Sequence, residues 1–186
     1  LDVSEGKQFK IGQVHIEGNE KTFDRVIRRE LPLEPGQPYD STRIDVTERR
    51  LENMNYFSSV EIMPLDTSYL DEKDLLIRVT EKPTGTINLG AGFSSIDSIT
   101  GFLEVTQTNF DLFGWDNDWT GAGQRFRMNL RGGNERRDFS ISITEPWFLE
   151  QRLALTVEAF YRDLLFLSDQ YDQTNYGVSV DLRKSL

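Results

Sequence analysis

Apolar and polar positions alternate through the second half of this chain almost without interruption. Phe139, Ile141 and Ile143 share one parity, and Ser140, Ser142 and Thr144 share the other. Leu153, Leu155, Val157, Ala159 and Tyr161 repeat the pattern after a short knot at Glu145-Pro146-Trp147-Phe148. A period of two sends successive side chains to opposite faces, so each run predicts a strand with one apolar face. Six runs obey the rule: 86–94, 99–108, 124–132, 136–145, 152–162 and 175–183. The remaining apolar parities are Ile87, Leu89, Ala91 and Phe93; Leu103 and Val105; Phe126, Met128 and Leu130; and Val178, Val180 and Leu182. Opposite them stand polar residues, including Asn88, Glu104, Arg125, Arg127, Arg131, Glu158 and Asp181.

The run lengths sit near the roughly 9–11 residues of a tilted membrane strand. Their apolar parity would then face lipid, and the polar parity a wet interior. The link 163–174, acidic and tyrosine-bearing, reads as a long loop, against short turns such as 145–148. Trp115, Trp119, Trp147 and Phe148 fall at predicted short turns, where aromatic side chains suit a membrane interface. Packing against the first half of the chain is the rival for these aromatics.

The first half follows other periods. Residues 9–17 read as a strand closed by Gly18-Asn19. Residues 23–31 read as a short helix with Phe23, Val26, Ile27 and Leu31 on one stripe and Thr22 as its cap. A proline-broken loop leads to a second helix over 41–57, with Ile44, Thr47, Leu51 and Met54 facing inward and Asp40 or Ser41 as cap. Strands follow at 59–65 and 74–82, and Lys82-Pro83-Thr84-Gly85 breaks the pattern. A β-α-α-β-β order predicts a three-stranded sheet with both helices on one face. We therefore expect an α+β domain over 1–83 and an all-antiparallel β segment over 84–186.

Composition narrows the chemistry. The net charge of -10 argues against a nucleic-acid partner. Mean hydropathy is -0.51, a value that a membrane β-barrel also gives, since it hides apolar residues at every second position. There are no cysteines, hence no disulfides and no thiolate metal site. The single histidine, His15, lies in a strand pattern, which leaves no Ser-His-Asp or multi-histidine site. Asp116-Asn117-Asp118 with Thr120 resembles a piece of a calcium loop but lacks its glycine and distal glutamate, so it reads as a solvated turn. Glu145, Glu150 and Glu158 could be posed as a glycosidase pair, but nothing in the sequence fixes their separation. Arg125, Arg127 and Arg131 read as charges inside a wet barrel. The charged positions of the two helices read as solvated faces. No catalytic, cofactor or metal residue is expected. The N-terminal stretch carries no apolar signal core, and the chain stops at Lys184-Ser185-Leu186 directly after a strand-like run. Both features suit a segment of a longer mature protein.

Particular motifs resemble the BamA family of outer-membrane assembly factors. Val14 to Leu31 (VHIEGNEKTFDRVIRREL) looks like the first strand, Gly18-Asn19 turn and first helix of a POTRA repeat. Arg49 to Ile62 (RRLENMNYFSSVEI) looks like its second helix running through Tyr56-Phe57 into a strand. TGTINLGAGF resembles the first barrel strand, TNFDLFGW with GAGQ the second strand's exit, and ITEPWF the turn after the fourth. The resemblance implies the membrane-proximal POTRA repeat followed by about the first six strands of a sixteen-stranded barrel. It implies a bacterial outer-membrane location with the POTRA domain in the periplasm. It implies insertion of nascent β-barrel proteins into the lipid bilayer, with accessory lipoproteins as further partners. The first strand, Thr86, Ile87, Asn88, Leu89, Gly90, Ala91, Gly92 and Phe93, would be one side of a lateral gate, and Gly90 and Gly92 would keep it weakly held. Residues 115–120 stand as an insertion relative to the family pattern. Two alternatives stay open: a two-partner secretion transporter of the same architecture, and a soluble β-sandwich binding module whose apolar parity packs sheet on sheet.

Overall fold

The computed structural model describes residues 9–94, 98–134, 136–168 and 171–184. They form two units, Leu1–Pro83 and Thr84–Leu186.

In the first unit the elements run β1 (Lys10–Glu17), α1 (Asp24–Arg28), α2 (Ser41–Asn53), β2 (Phe57–Asp66) and β3 (Glu72–Glu81). The sheet order is β1-β3-β2, with β3 parallel to β1 and antiparallel to β2. The central strand is the most apolar: Leu75, Leu76, Ile77 and Val79 are all buried. Val26 and Ile27 of α1 and Ile44 and Leu51 of α2 join Leu75, Ile77 and Val79 in one core. Burying one fully enclosed side chain of this size contributes about 1.5–3 kcal/mol. Thr47 enters the core by donating its hydroxyl to the Arg43 carbonyl at 2.7 Å, which leaves no unmet polar group.

Both helices are shorter than their patterns suggest. Asp40 caps α2, accepting from the Thr42 N–H at 2.9 Å. The helix ends at Asn53, and Asn55 turns left-handed at φ 62°. Tyr56 and Phe57 therefore leave the helix and enter the core through an edge-to-face contact at 6.2 Å. At α1 the expected Thr22 cap is not formed. Phe23 occupies the cap position without a side-chain bond. The backbone N–H groups of Lys21 and Thr22 donate instead to Glu81 of β3, at 2.9 and 2.7 Å. A distant carboxylate thus fixes the turn that leads into α1, while the first turn of the helix has no side-chain cap.

The second unit is one antiparallel meander: β4 (Gly85–Ser94), β5 (Ser98–Phe110), β6 (Gln124–Gly133), β7 (Arg136–Glu145), β8 (Leu153–Ser168) and β9 (Tyr171–Lys184), in sequence order. One expectation fails here. Residues 163–174 are not a loop: β8 and β9 stay paired from Leu153–Lys184 out to Leu164–Gln173. The polar residues that suggested a loop are cross-strand partners. Thr174 donates its hydroxyl to Asp163 at 2.8 Å. Only Asp169 and Gln170 of that stretch lie outside the described residues. The expected pattern of short and long links also reverses. The links 111–123 and 146–152 fall at the end where β4 begins, and at the opposite end only two or three residues separate successive strands.

Candidate membrane face and pairing edge

The register of the second sheet decides which side chains meet. One row across all six strands reads Leu89, Leu103, Leu130, Phe139, Tyr161, Tyr176. The next reads Ile87, Val105, Met128, Ile141, Ala159, Val178. A third passes from Phe126 through Ile143 and Val157 to Val180, and Leu155 pairs Leu182 below it. Leu153 ends the face beside Lys184. All twelve residues expected to face lipid thus share one side. Many are exposed, Val178 at 69% and Val180 at 65% among them. A sheet that shows bulky aliphatic residues at this level has an apolar surface lacking its complement.

The other side is polar and partly paired. Thr144 and Thr156 share a hydroxyl bond at 2.9 Å. Arg127 Nε stands 4.0 Å from Glu104 Oε1, and Arg136 donates to Asp138 at 2.6 Å. Ser142 faces Glu158. Two aromatic residues break the polar parity: Phe102 lies across from Gly90 and Phe160 across from Gly177. A Cβ on Gly90 would meet the Phe102 ring, with Cε1 only 2.5 Å away. A Cβ on Gly177 would come within 3.2 Å of Phe160. These rings fill the space that glycine leaves, a pairing that single-strand alternation could not show.

The strand Thr86–Phe93 forms most of β4. It pairs with β5 rung for rung from Gly85–Gln107 to Ser94–Ser98. Among the described residues β5 is its only sheet neighbour. Leu89 and Phe93 are 81% and 82% exposed. The two glycines expected to weaken it differ. Gly90 is covered by Phe102, whereas nothing lies within 4 Å of a Cβ on Gly92.

The four expected interface aromatics gather at one end. Trp115 and Trp119 approach to 5.0 Å, and Trp119 stacks on Phe110 at 6.2 Å. Trp147 carries Arg152 over its ring at 5.3 Å, and Phe148 starts the turn beside it. The Trp115–Trp119 link is not the short turn foreseen but spans 111–123. It is held from inside: buried Asn109 accepts the Gly123 N–H at 2.9 Å, and its carbonyl accepts that of Gly121 at 2.8 Å. Asn117 turns its amide back to the Thr120 carbonyl at 2.7 Å, which closes the stretch that resembled a calcium loop. Among the described residues no cluster of three His, Cys, Asp or Glu could hold a metal. Among the same residues no helix is long and apolar enough to cross a membrane, which leaves strand crossing open.

In the first unit Gly18 needs its left-handed φ of 86°, and a side chain there would run into the Val79 carbonyl. Asn19 donates to the Thr22 carbonyl at 3.0 Å and shapes the same turn. The two edges of this sheet differ. Along β1, the Ile11 N–H donates to Gln37 and the Tyr39 N–H to Phe9, both at 2.8 Å. Further along, Arg28 Nη2 donates to the Val14 carbonyl at 3.0 Å. The other edge, β2, contains Pro64, a residue that suits an edge strand.

Comparison with known proteins agrees with both halves. A family model described as the surface antigen variable number repeat, POTRA, matches residues 9–82, and one described as the Omp85 superfamily domain matches 118–186. The outer membrane protein assembly factor BamA of Neisseria meningitidis serogroup B is 30% identical over 162 residues, 86% of this chain and 19% of that protein. The crystal structure of BamA from Haemophilus ducreyi lacking POTRA domains 1-3 superposes with a TM-score of 0.81 at 25% identity, over 95% of this chain and 32% of that one. CdiB from Acinetobacter baumannii gives 0.57 at 13% identity over 94% and 33%, a likeness of fold alone. The chain spans 19% and 28% of the length of the first two curated relatives it matches. The first half of the chain is thus a POTRA repeat, the second carries strands of an Omp85 superfamily domain, and most of its length is similar to BamA outer membrane assembly factors.

Proposed function

We propose that this chain is part of an outer-membrane assembly factor that folds and inserts β-barrel proteins, with the first unit as the membrane-proximal POTRA domain in the periplasm. The observation that carries this is the register of the second sheet: six strands present one continuous apolar face and one polar face, as a membrane barrel wall must. Lipid then covers the apolar face, and Trp115, Trp119, Trp147 and Phe148 lie at the interface level. The work done is backbone hydrogen bonding rather than covalent chemistry. β4, from Thr86 to Phe93, offers its free edge to an incoming strand, and main-chain bonds give affinity without demanding one sequence. In the POTRA sheet β2 is the edge for the same kind of addition, since the 36–39 loop and Arg28 already occupy β1. Accessory lipoproteins are included as partners.

Depletion of the full-length protein in its host tests the reading. A general loss of outer-membrane β-barrels supports it. Loss of a single secreted partner, with the other barrels intact, would replace it with a two-partner transporter.

A further inference from the structure

We propose that an anionic lipid seats in a groove on the apolar face of the second unit, with its acyl chain beside Ile99, Leu130 and Phe139 and its phosphate on Arg137. The inference rests on the membrane-facing reading of that sheet and names one ligand of it.

The groove comes from the register. The row Leu89, Leu103, Leu130, Phe139, Tyr161, Tyr176 is bulky throughout. Two residues further along each strand the next row reads Ala91, Gly101, Gly132, Arg137, Asp163, Thr174. Beyond it, Phe93 and Ile99 restore bulk. The wall is therefore low at Gly101 and Gly132. Nothing lies within 4 Å of a Cβ on Gly132, and only backbone oxygens at 3.9 Å approach one on Gly101. The resulting groove is lined by Ile99, Leu130, Phe139 and Tyr161, with Arg137 at its rim. From Gly101 to Arg137 it crosses two strand spacings, about 10 Å.

Depth and charge select the occupant. On β7 the apolar parity ends at Phe139, and the next residue outward on that face is Arg137. Tyr161 and Tyr176 pair at the same level as Phe139, and tyrosine favours the boundary between hydrocarbon and headgroups. The groove thus starts among acyl chains and ends where phosphates lie. Among the described residues Arg137 has no side-chain hydrogen-bond or ion-pair partner. Its cross-strand neighbour Asp163 is buried and accepts from Thr174 at 2.8 Å. Asp138 and Arg131 pair on the opposite, polar parity, where Arg136 binds Asp138 at 2.6 Å. A guanidinium at the edge of an apolar groove matches a phosphate geometrically and electrostatically. A zwitterionic headgroup brings its own cation to the same place and gains less.

The test uses the full-length protein in nanodiscs of equal parts phosphatidylglycerol and phosphatidylcholine, with retained lipid read by native mass spectrometry. The wild type should keep phosphatidylglycerol over phosphatidylcholine by about fivefold, the worth of one basic residue at an anionic surface. Arg137→Gln should retain both lipids equally. Nothing lies within 4 Å of a Cβ on Gly132, so Gly132→Leu should fold, fill the groove and retain neither. Excess inorganic phosphate should not displace the lipid. Equal retention by the wild type, an unchanged preference in Arg137→Gln, or displacement by phosphate overturns the proposal. A protein that enters nanodiscs but shows no preference fails the groove alone. One that does not enter them fails the membrane-facing reading and the groove together.

Discussion

Phe102 lies across the β4–β5 ladder on top of Gly90, at the position a side chain on Gly90 would need. The pair ties the first strand of the sheet to the second at one rung. It also distinguishes two positions of β4: Gly90 has an aromatic cover, and Gly92 beyond it has none. A cross-strand aromatic pair contributes about 0.5–1 kcal/mol. Phe102→Ala should therefore speed amide exchange along β4 by roughly twofold to fivefold. Gly90→Ala should displace the ring and give a similar loss. The double variant should lose little more than either alone, because both remove one contact. Fully additive effects in that cycle would show that the ring and the glycine do not act together.

Glu81 links the end of β3 to the turn before α1 through two backbone N–H groups. Glu81→Ala leaves both donors without this acceptor. The expected cost is about 1–2 kcal/mol, discounted because Glu81 is partly solvated. Residue-resolved hydrogen exchange should show the loss spread over α1 and the Gly18 turn. Leu51→Ala offers a calibration: its side chain is fully buried in the core, so about 2–5 kcal/mol is expected.

These two cases mark what was legible in the sequence. Leu51 declared itself, because a helical stripe needs only spacing. Glu81 did not, because its partners lie some sixty residues upstream and no local pattern connects them. The strands of the second unit were legible for the same reason as Leu51: alternation assigns a face from the residues of one strand. Phe102 and Phe160 were not, since they sit on the polar parity and make sense only against a glycine on the neighbouring strand. The stretch 163–174 misled because Asp, Gln and Thr read as loop chemistry when each is taken alone. Paired as Asp163 with Thr174, they extend a ladder. The residues expected to face lipid were chosen from parity alone, and the register sets them side by side.

The link 111–123 hangs on Asn109, which is 2% exposed and accepts the Gly123 N–H at 2.9 Å. Asn109→Ala removes that acceptor in a dry place and should cost about 1–3 kcal/mol. The readout is specific: the loss should release Trp119 from Phe110, seen as a red shift and increased quenching of tryptophan fluorescence. An unchanged spectrum would mean that the aromatic stack, rather than Asn109, holds the link.

Leu149 takes a left-handed backbone conformation, φ 56° and ψ 35°, with its side chain 70% exposed. A side chain there costs about 1–2 kcal/mol relative to right-handed backbone. Leu149→Gly should relieve much of this and stabilise the sheet by about 1 kcal/mol, less the extra freedom glycine gains on unfolding. If the variant is less stable in lipid but more stable in detergent without a bilayer, Leu149 is an interfacial anchor whose contact outweighs its strain.

The membrane-facing reading and the β-sandwich reading differ in what touches Ile141. In a sandwich it meets a second sheet of protein; in a barrel wall it meets acyl chains. These 186 residues contain no cysteine, so once any cysteine elsewhere in the full-length protein is replaced, Ile141→Cys and Ser142→Cys each give a single labelling site on adjacent, opposite-facing positions of β7. With nitroxide labels on the full-length protein in bilayers, position 141 should be accessible to dissolved oxygen and shielded from a water-soluble nickel complex. Position 142 should show the reverse. The periodicity should continue through Phe139 and Ile143, since Met128–Ile141–Ala159 and their neighbouring rungs form one face. Protection of position 141 from both reagents would mean that protein covers the face, and the barrel reading would give way to the sandwich.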